Sequence, residues 1–579
     1  MPKNNNKYCY FMRERPSIAY FSMEIGLESD IPTYSGGLGV LAGDILHKAV
    51  DLEIPMIAVS LCYSAGYFYQ MIGPYGDQIS KNIRWQFSSS FEKIPITITI
   101  EIQGKEFKVG AWVYNIIGKR NGFIIPVFLL DSNIEGNPEW FKKIAHTLYT
   151  AQQFTRIVQE AILGIGGVKL IYELCFDNIE TFHLNEGHSS FTILELLKRF
   201  KTQEKVKKRI TFTTHTPVPA GHETFDYNLA YNVLGNMLPD NIRELAGNDK
   251  LNMTRLALNM SRYVNAVSKK HLEVTQEMFP GYEIDSITNG VNLFRWMSPY
   301  IKELYDEIMP EFRYDPQIII NAPVEIDSHD LWTAHKKAKG DLMDYEASHS
   351  HVLLDDRVLT LAFGRRFTSY KRPTLIFSDL DRLGKICKDK VQIIFAGKAH
   401  PMDNEGKYLI KKIHESSDYL WDNYRVSVAF LENYDMDLAK LIISGSDVWL
   451  NTPRSKNEAS GTSGMKAALN ATLNCSTMDG WWIEGYKMSN LAGWAICPKI
   501  IEGECSSDSD ESVAEAFYHI LENEIIPTFY GNRDQWIKRM KNAILLASYF
   551  NCDRAVKEYA TRAWNMTMQP RWRKRNSHI

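Results

Sequence analysis

Four short apolar runs recur through one stretch of the chain: VLTLAF (358–363), VQIIFAG (391–397), RVSVAFL (425–431) and DVWLNTP (447–453). Segments of helical periodicity separate them: RPTLIFSDLDRLGKICKDK, GKYLIKKIHESS and DMDLAKLIISG. The last run is followed by the loop RSKNEASGTSG and a helix from Met465. Strands about 30 residues apart with helices between them predict βαβ crossovers, and hence a parallel sheet covered on both faces.

An earlier series has the same form. SIAYF (17–21), the glycine-led helix GGLGVLAGDILHKAVDLEI (36–54) and PMIAVSL (55–61) open it. NIETFHLNEGHSSFTILELLKRF and RITFTTHTPVPAGH continue it. ITITIEIQ, EFKVGAWVYNI and GFIIPVFLL, between residues 95 and 130, predict antiparallel strands added to that sheet. Two such series imply two doubly wound, Rossmann-like α/β domains. With 579 residues the chain exceeds what one core can serve. The expected division is 1–296, 297–552 and a C-terminal helix, 553–579, crossing back to the first domain.

A formal net charge of −3 with no long basic block recommends neither nucleic acid nor a membrane surface as partner. No segment is apolar for long enough to span a bilayer, and MPKNNNKYCYFMRERPSIAYF lacks the apolar core of a signal peptide. The eight cysteines are scattered without CxxC spacing. They suggest neither a zinc site nor a disulfide framework, and a reducing, cytoplasmic setting fits.

In open parallel sheets ligands sit beyond the carboxyl ends of the strands. Three loops there carry chemistry. YSGGLGVLAGD (34–44) offers Gly36, Gly37 and Gly39, whose backbone N–H groups can approach an anion at a helix start. A tight strand-to-helix turn would need the same glycines. FGRRFTSYKRP (363–373) concentrates Arg365, Arg366, Lys371 and Arg372. Such cations repel unless an anion sits among them, and phosphate suits their geometry. EASGTSGMK (458–466) leads through Gly461, Thr462, Ser463 and Gly464 into a helix whose first turn holds Lys466 among apolar neighbours. A desolvated lysine sheds its proton and becomes a nucleophile for an aldehyde. Beside a phosphate cradle, it suggests a Schiff base with pyridoxal 5′-phosphate.

These segments resemble the α-glucan (glycogen, starch and maltodextrin) phosphorylases. EASGTSGMK looks like their cofactor-lysine motif, GRRFTSYKR their phosphate segment, YSGGLG their glycine loop, TNGVN and THT their sugar-site segments. IAYFSMEIGLESDIPTYSGGLGVLAGD and MDGWWIEGY look most like the shorter bacterial and archaeal subgroup, and the resemblance runs from about residue 17 to 565. It implies the GT-B arrangement of two domains facing a cleft. It also implies phosphorolysis of α-1,4-glucan by inorganic phosphate, giving α-D-glucose 1-phosphate with retention, and a homodimeric assembly.

The resemblance carries roles as well. Lys466 would hold pyridoxal 5′-phosphate. Thr462, Ser463, Gly37 and Arg365 would surround its phosphate, with Tyr434 and Trp296 packed nearby. Arg366, Lys371 and the Gly36–Gly37 amides would receive the substrate phosphate. Glu458, Ser460, Gly461 and Asn289 would bind the terminal glucose. His215 would bond a sugar hydroxyl, with His188 alongside. Gly464 and Asp435 depart from the longer animal and plant enzymes, which have asparagine and a basic residue there.

The competing readings are a sugar-nucleotide-dependent retaining glycosyltransferase, which would carry a second glutamate at the Lys466 position, and a catalytically dead glucan-binding protein, which would tolerate loss of Lys466, Arg366 or Lys371. A metal held by His183, His188 and His215 matches no zinc spacing, and no metal is expected.

Overall fold

The computed structural model describes residues 15–567 apart from 84, 86–89, 351, 502–503 and 507–508. The signal-peptide reading therefore falls mainly, and the far end of the C-terminal helix wholly, outside the described residues.

The first sheet has nine strands: β1 (Ile18–Ser22), β2 (Met56–Leu61), β5 (Phe91–Ile102), β6 (Lys105–Ile117), β7 (Ile124–Asp131), β8 (Thr181–Asn185), β9 (Ile210–Thr213), β12 (Tyr263–Ala266) and β13 (Asp285–Ser286). A hairpin, β3 (Tyr69–Ile72) with β4 (Gln78–Lys81), and a two-residue ladder, β10 (Thr224–Phe225) with β11 (Leu251–Asn252), stand outside it. The sheet order is β13-β12-β9-β8-β1-β2-β7-β6-β5. Strands β13 to β7 run parallel, while β6 and β5 are antiparallel additions at one edge. Buried and exposed residues largely alternate along β5, as an edge strand requires. Its Pro95 sits where the β5–β6 register shifts, a place where a missing N–H costs little.

The second sheet has six parallel strands: β14 (Leu359–Gly364), β15 (Val391–Ala396), β16 (Val428–Leu431), β17 (Val448–Asn451), β18 (Leu473–Thr477) and β19 (Gly493–Ile496). Their order is β16-β15-β14-β17-β18-β19, the 3-2-1-4-5-6 pattern of a dinucleotide-binding fold. Both faces are covered, so β14 and β15 read as unbroken apolar runs and are buried throughout. The fold is α/β with two Rossmann-like units, as the strand spacing predicts.

Two differences from the sequence reading stand out. The long segment 372–390 is not one helix: a short 3-10 turn precedes a helix that spans only Leu380–Cys387, with Asp379 capping it. And Cys497 and Cys505 form a disulfide, Cα–Cα 5.5 Å, beside the hairpin β20 (Lys499–Ile501) and β21 (Glu504–Ser506). The reading of unpaired cysteines fails for these two, because a hairpin closing on itself has no spacing signature. Cys62, Cys387, Cys475 and Cys552 are buried thiols and Cys175 an exposed one. No helix among the described residues is long and apolar enough to cross a membrane.

The β3–β4 hairpin reaches from the first unit to the second. Gln70 and Gln78 are buried and bonded to each other, 2.8 Å. Gln70 also donates to the Gly397 carbonyl, and Gln78 takes both the N–H and the C=O of Ala399. Gln78→Ala should leave the Ala399 groups unpaired and lower the urea midpoint by an amount worth about 1–2 kcal/mol. An unmoved midpoint would mean that water replaces these bonds.

Candidate active site

Each sheet reverses its order at one point, and the loops that diverge there make the site. In the second sheet this point lies between β14 and β17. Arg365 follows β14, and its guanidinium bonds Asn451 at the end of β17 and Glu458 beyond it, the latter at 2.9 Å. The Lys371 amine lies 3.3 Å from the same Glu458 oxygen. Burial alone would raise the Glu458 carboxyl, but Arg365 and Lys371 outweigh it and hold the carboxyl below its usual range.

The anion expected among the four cations is thus supplied in part by the protein. Arg372 is turned away, bonded to the Thr452 and Pro453 carbonyls and to Asp510. Arg366 has no ion-pair or hydrogen-bond partner among the described residues. It is open to solvent yet crowded, with Tyr370, Tyr67, Glu24 and Tyr149 as its electrostatic neighbours.

Glu24 ties Arg366 to the glycine loop. It accepts from the backbone N–H of Ser35 (2.6 Å) and Gly36 (3.2 Å), and from the Tyr149 hydroxyl (2.8 Å). The Gly36 amide is therefore engaged by Glu24, while Gly37 is exposed and starts helix α1 (Gly37–Asp51). A side chain on Gly39 would strike Glu24 Oε2 at 2.7 Å, which explains a glycine there.

The first sheet's reversal lies between β1 and β8, joined by Asn185 donating to Ser22. Just beyond it, His215 bonds the Asn185 side chain at 2.8 Å, and its backbone N–H donates to Glu186. Burial, with His271 nearby, holds the His215 imidazole down at about 3, so it is neutral at physiological pH. The His188 ring packs edge-on to Tyr149. His183 does not join them: it bonds Thr213 and the Trp564 indole N–H.

Of the three histidines, only His188 belongs to a group with metal-ligand spacing, with Glu160 and Glu223, all within 4.8 Å. The Arg156 guanidinium already lies beside those carboxylates, 3.0 Å from Glu223 and 3.5 Å from Glu160.

The loop 458–462 crosses toward the first unit, where Ser268 donates to the Ala459 carbonyl. Asp479 braces the loop by accepting from the N–H groups of Asn457 and Glu458. Gly461 has φ +80°, a conformation that favours glycine. The Ser460 hydroxyl, the Asn289 Oδ1 and the Arg365 Nε are buried without a hydrogen-bond partner.

Thr462 then precedes helix α4 (Ser463–Leu469), after α2 (Leu293–Trp296) and α3 (Ser328–His349) in chain order. The Ser463 hydroxyl accepts from the Trp449 indole. Gly464 must lack a side chain because the Trp481 indole and Asn474 fill that space. Asp435 caps the next helix by accepting from the Leu438 N–H. Both departures from the longer enzymes thus have local structural reasons.

Lys466 is 6% exposed, and its amine sits 3.4 Å from the centroid of the Trp296 ring without a hydrogen bond. Burial brings its ammonium down to about 8. Tyr434 packs behind, donating to the Gly364 carbonyl and close to Arg365.

A carbohydrate phosphorylase profile matches residues 238–489. The chain is 38% identical over 601 residues to a maltodextrin phosphorylase of Thermococcus litoralis, covering 96% of this chain and 71% of that one. The chain belongs to the carbohydrate phosphorylase family. A glycogen phosphorylase of Aquifex aeolicus is 36% identical, with 95% and 86% covered. An uncharacterised protein of Methanocaldococcus jannaschii is 32% identical and is covered over 99% of its length. As a family member the protein is a glycosyltransferase enzyme.

Sequence reasoning missed several residues that build this family site: Glu24, Tyr149, Asn451 and Asp479. Glu24 lies inside the segment that marks the short subgroup, but no spacing rule ties it to a loop eleven residues on. Asn451 and Asp479 end or follow strands of the sheet, and that position was the available signal.

Proposed function

We propose that the protein phosphorolyses α-1,4-glucan from the non-reducing end, releasing α-D-glucose 1-phosphate with retention, with pyridoxal 5′-phosphate held by Lys466. The observation that carries this reading is the Lys466 amine: desolvated, unbonded, and resting on an indole behind a crevice whose free cation is Arg366. The unpartnered Ser460, Asn289 and Arg365 atoms fit a polar group brought in from outside.

In this reading Thr462, Ser463, Gly37 and Arg365 hold the cofactor's phosphate, with Tyr434 and Trp296 against its ring. When bound, the cofactor would supply a phosphate able to exchange a proton with the substrate phosphate. Arg366 and Lys371 receive inorganic phosphate, and the Gly36–Gly37 backbone closes over it. Clustered cations in a site shielded from water offset the repulsion between two phosphates. Glu458, Ser460, Gly461 and Asn289 grip the terminal glucose. Neutral His215 accepts or donates a hydrogen bond to a sugar hydroxyl and carries no charge of its own, with His188 alongside. Residues 1–296 and 297–552 form the two walls of this cleft, and the segment after 552 ties them.

The test is direct. Maltodextrin and inorganic phosphate should yield glucose 1-phosphate, and borohydride should fix a pyridoxyl group on the peptide containing Lys466. Failure of both, with glucose transfer from a sugar nucleotide instead, would overturn the reading.

A further inference from the structure

Asp44 lies on α1, one turn beyond the glycine loop, and is 1% exposed. Every hydrogen bond that reaches it comes from the segment containing Trp296. Its Oδ2 accepts the Trp296 indole N–H at 2.8 Å and the Asn292 N–H at 3.2 Å; its Oδ1 pairs with Arg295 at 3.0 Å. Arg295 in turn donates to the Gly26 and Leu27 carbonyls. Gly43 permits this close approach, since a side chain there would meet the Gly26 carbonyl at 1.9 Å and Arg295 at 2.9 Å. The opposite consequence is on the face of the indole, where the Lys466 amine rests 3.4 Å from the ring centroid. An indole that donates its N–H to a carboxylate gains electron density on that face, which suits a cation.

We propose that Asp44 is a positioning residue for the Lys466 amine: it clamps the Trp296 indole by its N–H and fixes the ring face on which the amine rests. The inference rests on the reading of Lys466 as the cofactor lysine. It adds a carboxylate from the glycine-loop helix, so the loop and the lysine are set by one buried network.

The titratable groups that reach the amine are few. Asp44 comes from α1, Arg295 from α2 and the Cys552 thiol from the segment that begins at residue 552; burial lowers the ammonium, Asp44 and Cys552 raise it, and Arg295 lowers it. Lys48 and Asp553, 3.5 Å apart, lie further along the same seam. Loss of the Asp44 charge should therefore lower the ammonium further and leave more free amine at pH 7.

The experiment follows imine formation by pyridoxal 5′-phosphate on protein first stripped with hydroxylamine, trapped with borohydride and located by mass spectrometry. The wild-type rate should rise with pH to a midpoint near 8. Asp44→Asn keeps an acceptor for the indole and removes the charge. Its midpoint should fall by about one unit, making adduct formation at pH 7 several-fold faster, with the alkaline limiting rate kept. Asp44→Ala removes the clamp too, and its limiting rate should fall several-fold. Circular dichroism checks the fold of both variants, and the asparagine variant alone decides if the alanine one does not fold. An adduct at Lys466 with midpoint and limiting rate unmoved overturns this inference and leaves the cofactor reading standing. No adduct at Lys466 in the wild type overturns the cofactor reading, and this inference with it.

Discussion

Lys466→Ala should yield a folded protein with no covalently bound pyridoxal 5′-phosphate and no phosphorolysis. The structure makes the two halves of this result separable. The Lys466 amine bonds nothing among the described residues, so its loss orphans no buried partner. It is a cation kept away from water, and burial costs it stability. Alanine also suits a helix interior such as α4. A small cavity against Trp296 is the main cost, and denaturation should show little change or a slight gain. The absorbance band of the bound aldehyde, its loss on borohydride treatment and the release of glucose 1-phosphate should all disappear together. A variant that still carries stoichiometric covalent cofactor would show that another lysine holds it. A variant that unfolds would show that Lys466 serves packing first.

Arg366→Ala should weaken inorganic phosphate and glucose 1-phosphate by about a hundredfold while leaving glucan affinity nearly intact. A lost charge-assisted contact in a site shielded from water is worth about 2–4 kcal/mol, which sets this scale. Arg366 is the cleaner probe of the cluster because no carboxylate of the protein is paired with it. Lys371→Ala should show a defect of the same order, but it also removes one of two cations from Glu458, which then leans on Arg365 alone. Phosphate and glucan dependence measured separately decide the matter. Unchanged phosphate dependence in both variants would reduce the cluster to a structural turn.

The architecture was legible because parallel strands buried on both faces write themselves as apolar runs at regular spacing. The antiparallel edge was legible through the alternation along β5. The lysine, the basic loop and the glycine loop were legible because each sits at a strand's carboxyl end in an unusual local composition. What could not be read is pairing across distance. Nothing local to FGRRFTSYKRP says that Glu458 lies between Arg365 and Lys371, or that Arg372 faces Asp510. The same holds for Asp44 and Trp296, which meet although 252 positions separate them. The Cys497–Cys505 bridge escaped because a short closed hairpin has no pattern of its own.

The last described stretch of the chain is built into its first sheet. Helix α6 (Cys552–Glu558), which follows α5 (Trp481–Met488), packs on α1, and Asn551 pairs with Val291 as an isolated bridge. Val556, Tyr559 and Trp564 are buried in one cluster with Ile18 and Tyr20, and Arg262 caps the Ala563 carbonyl. A ribosome making this protein releases Ile18 early and Trp564 more than five hundred residues later. Until then, one face of the first sheet has no cover of its own. The N-terminal unit must wait through synthesis of the whole second unit with that apolar surface bare, and chaperones have a defined place and interval in which to act. Such a join across the full length of the chain also slows refolding, because it closes the longest loop the sequence allows.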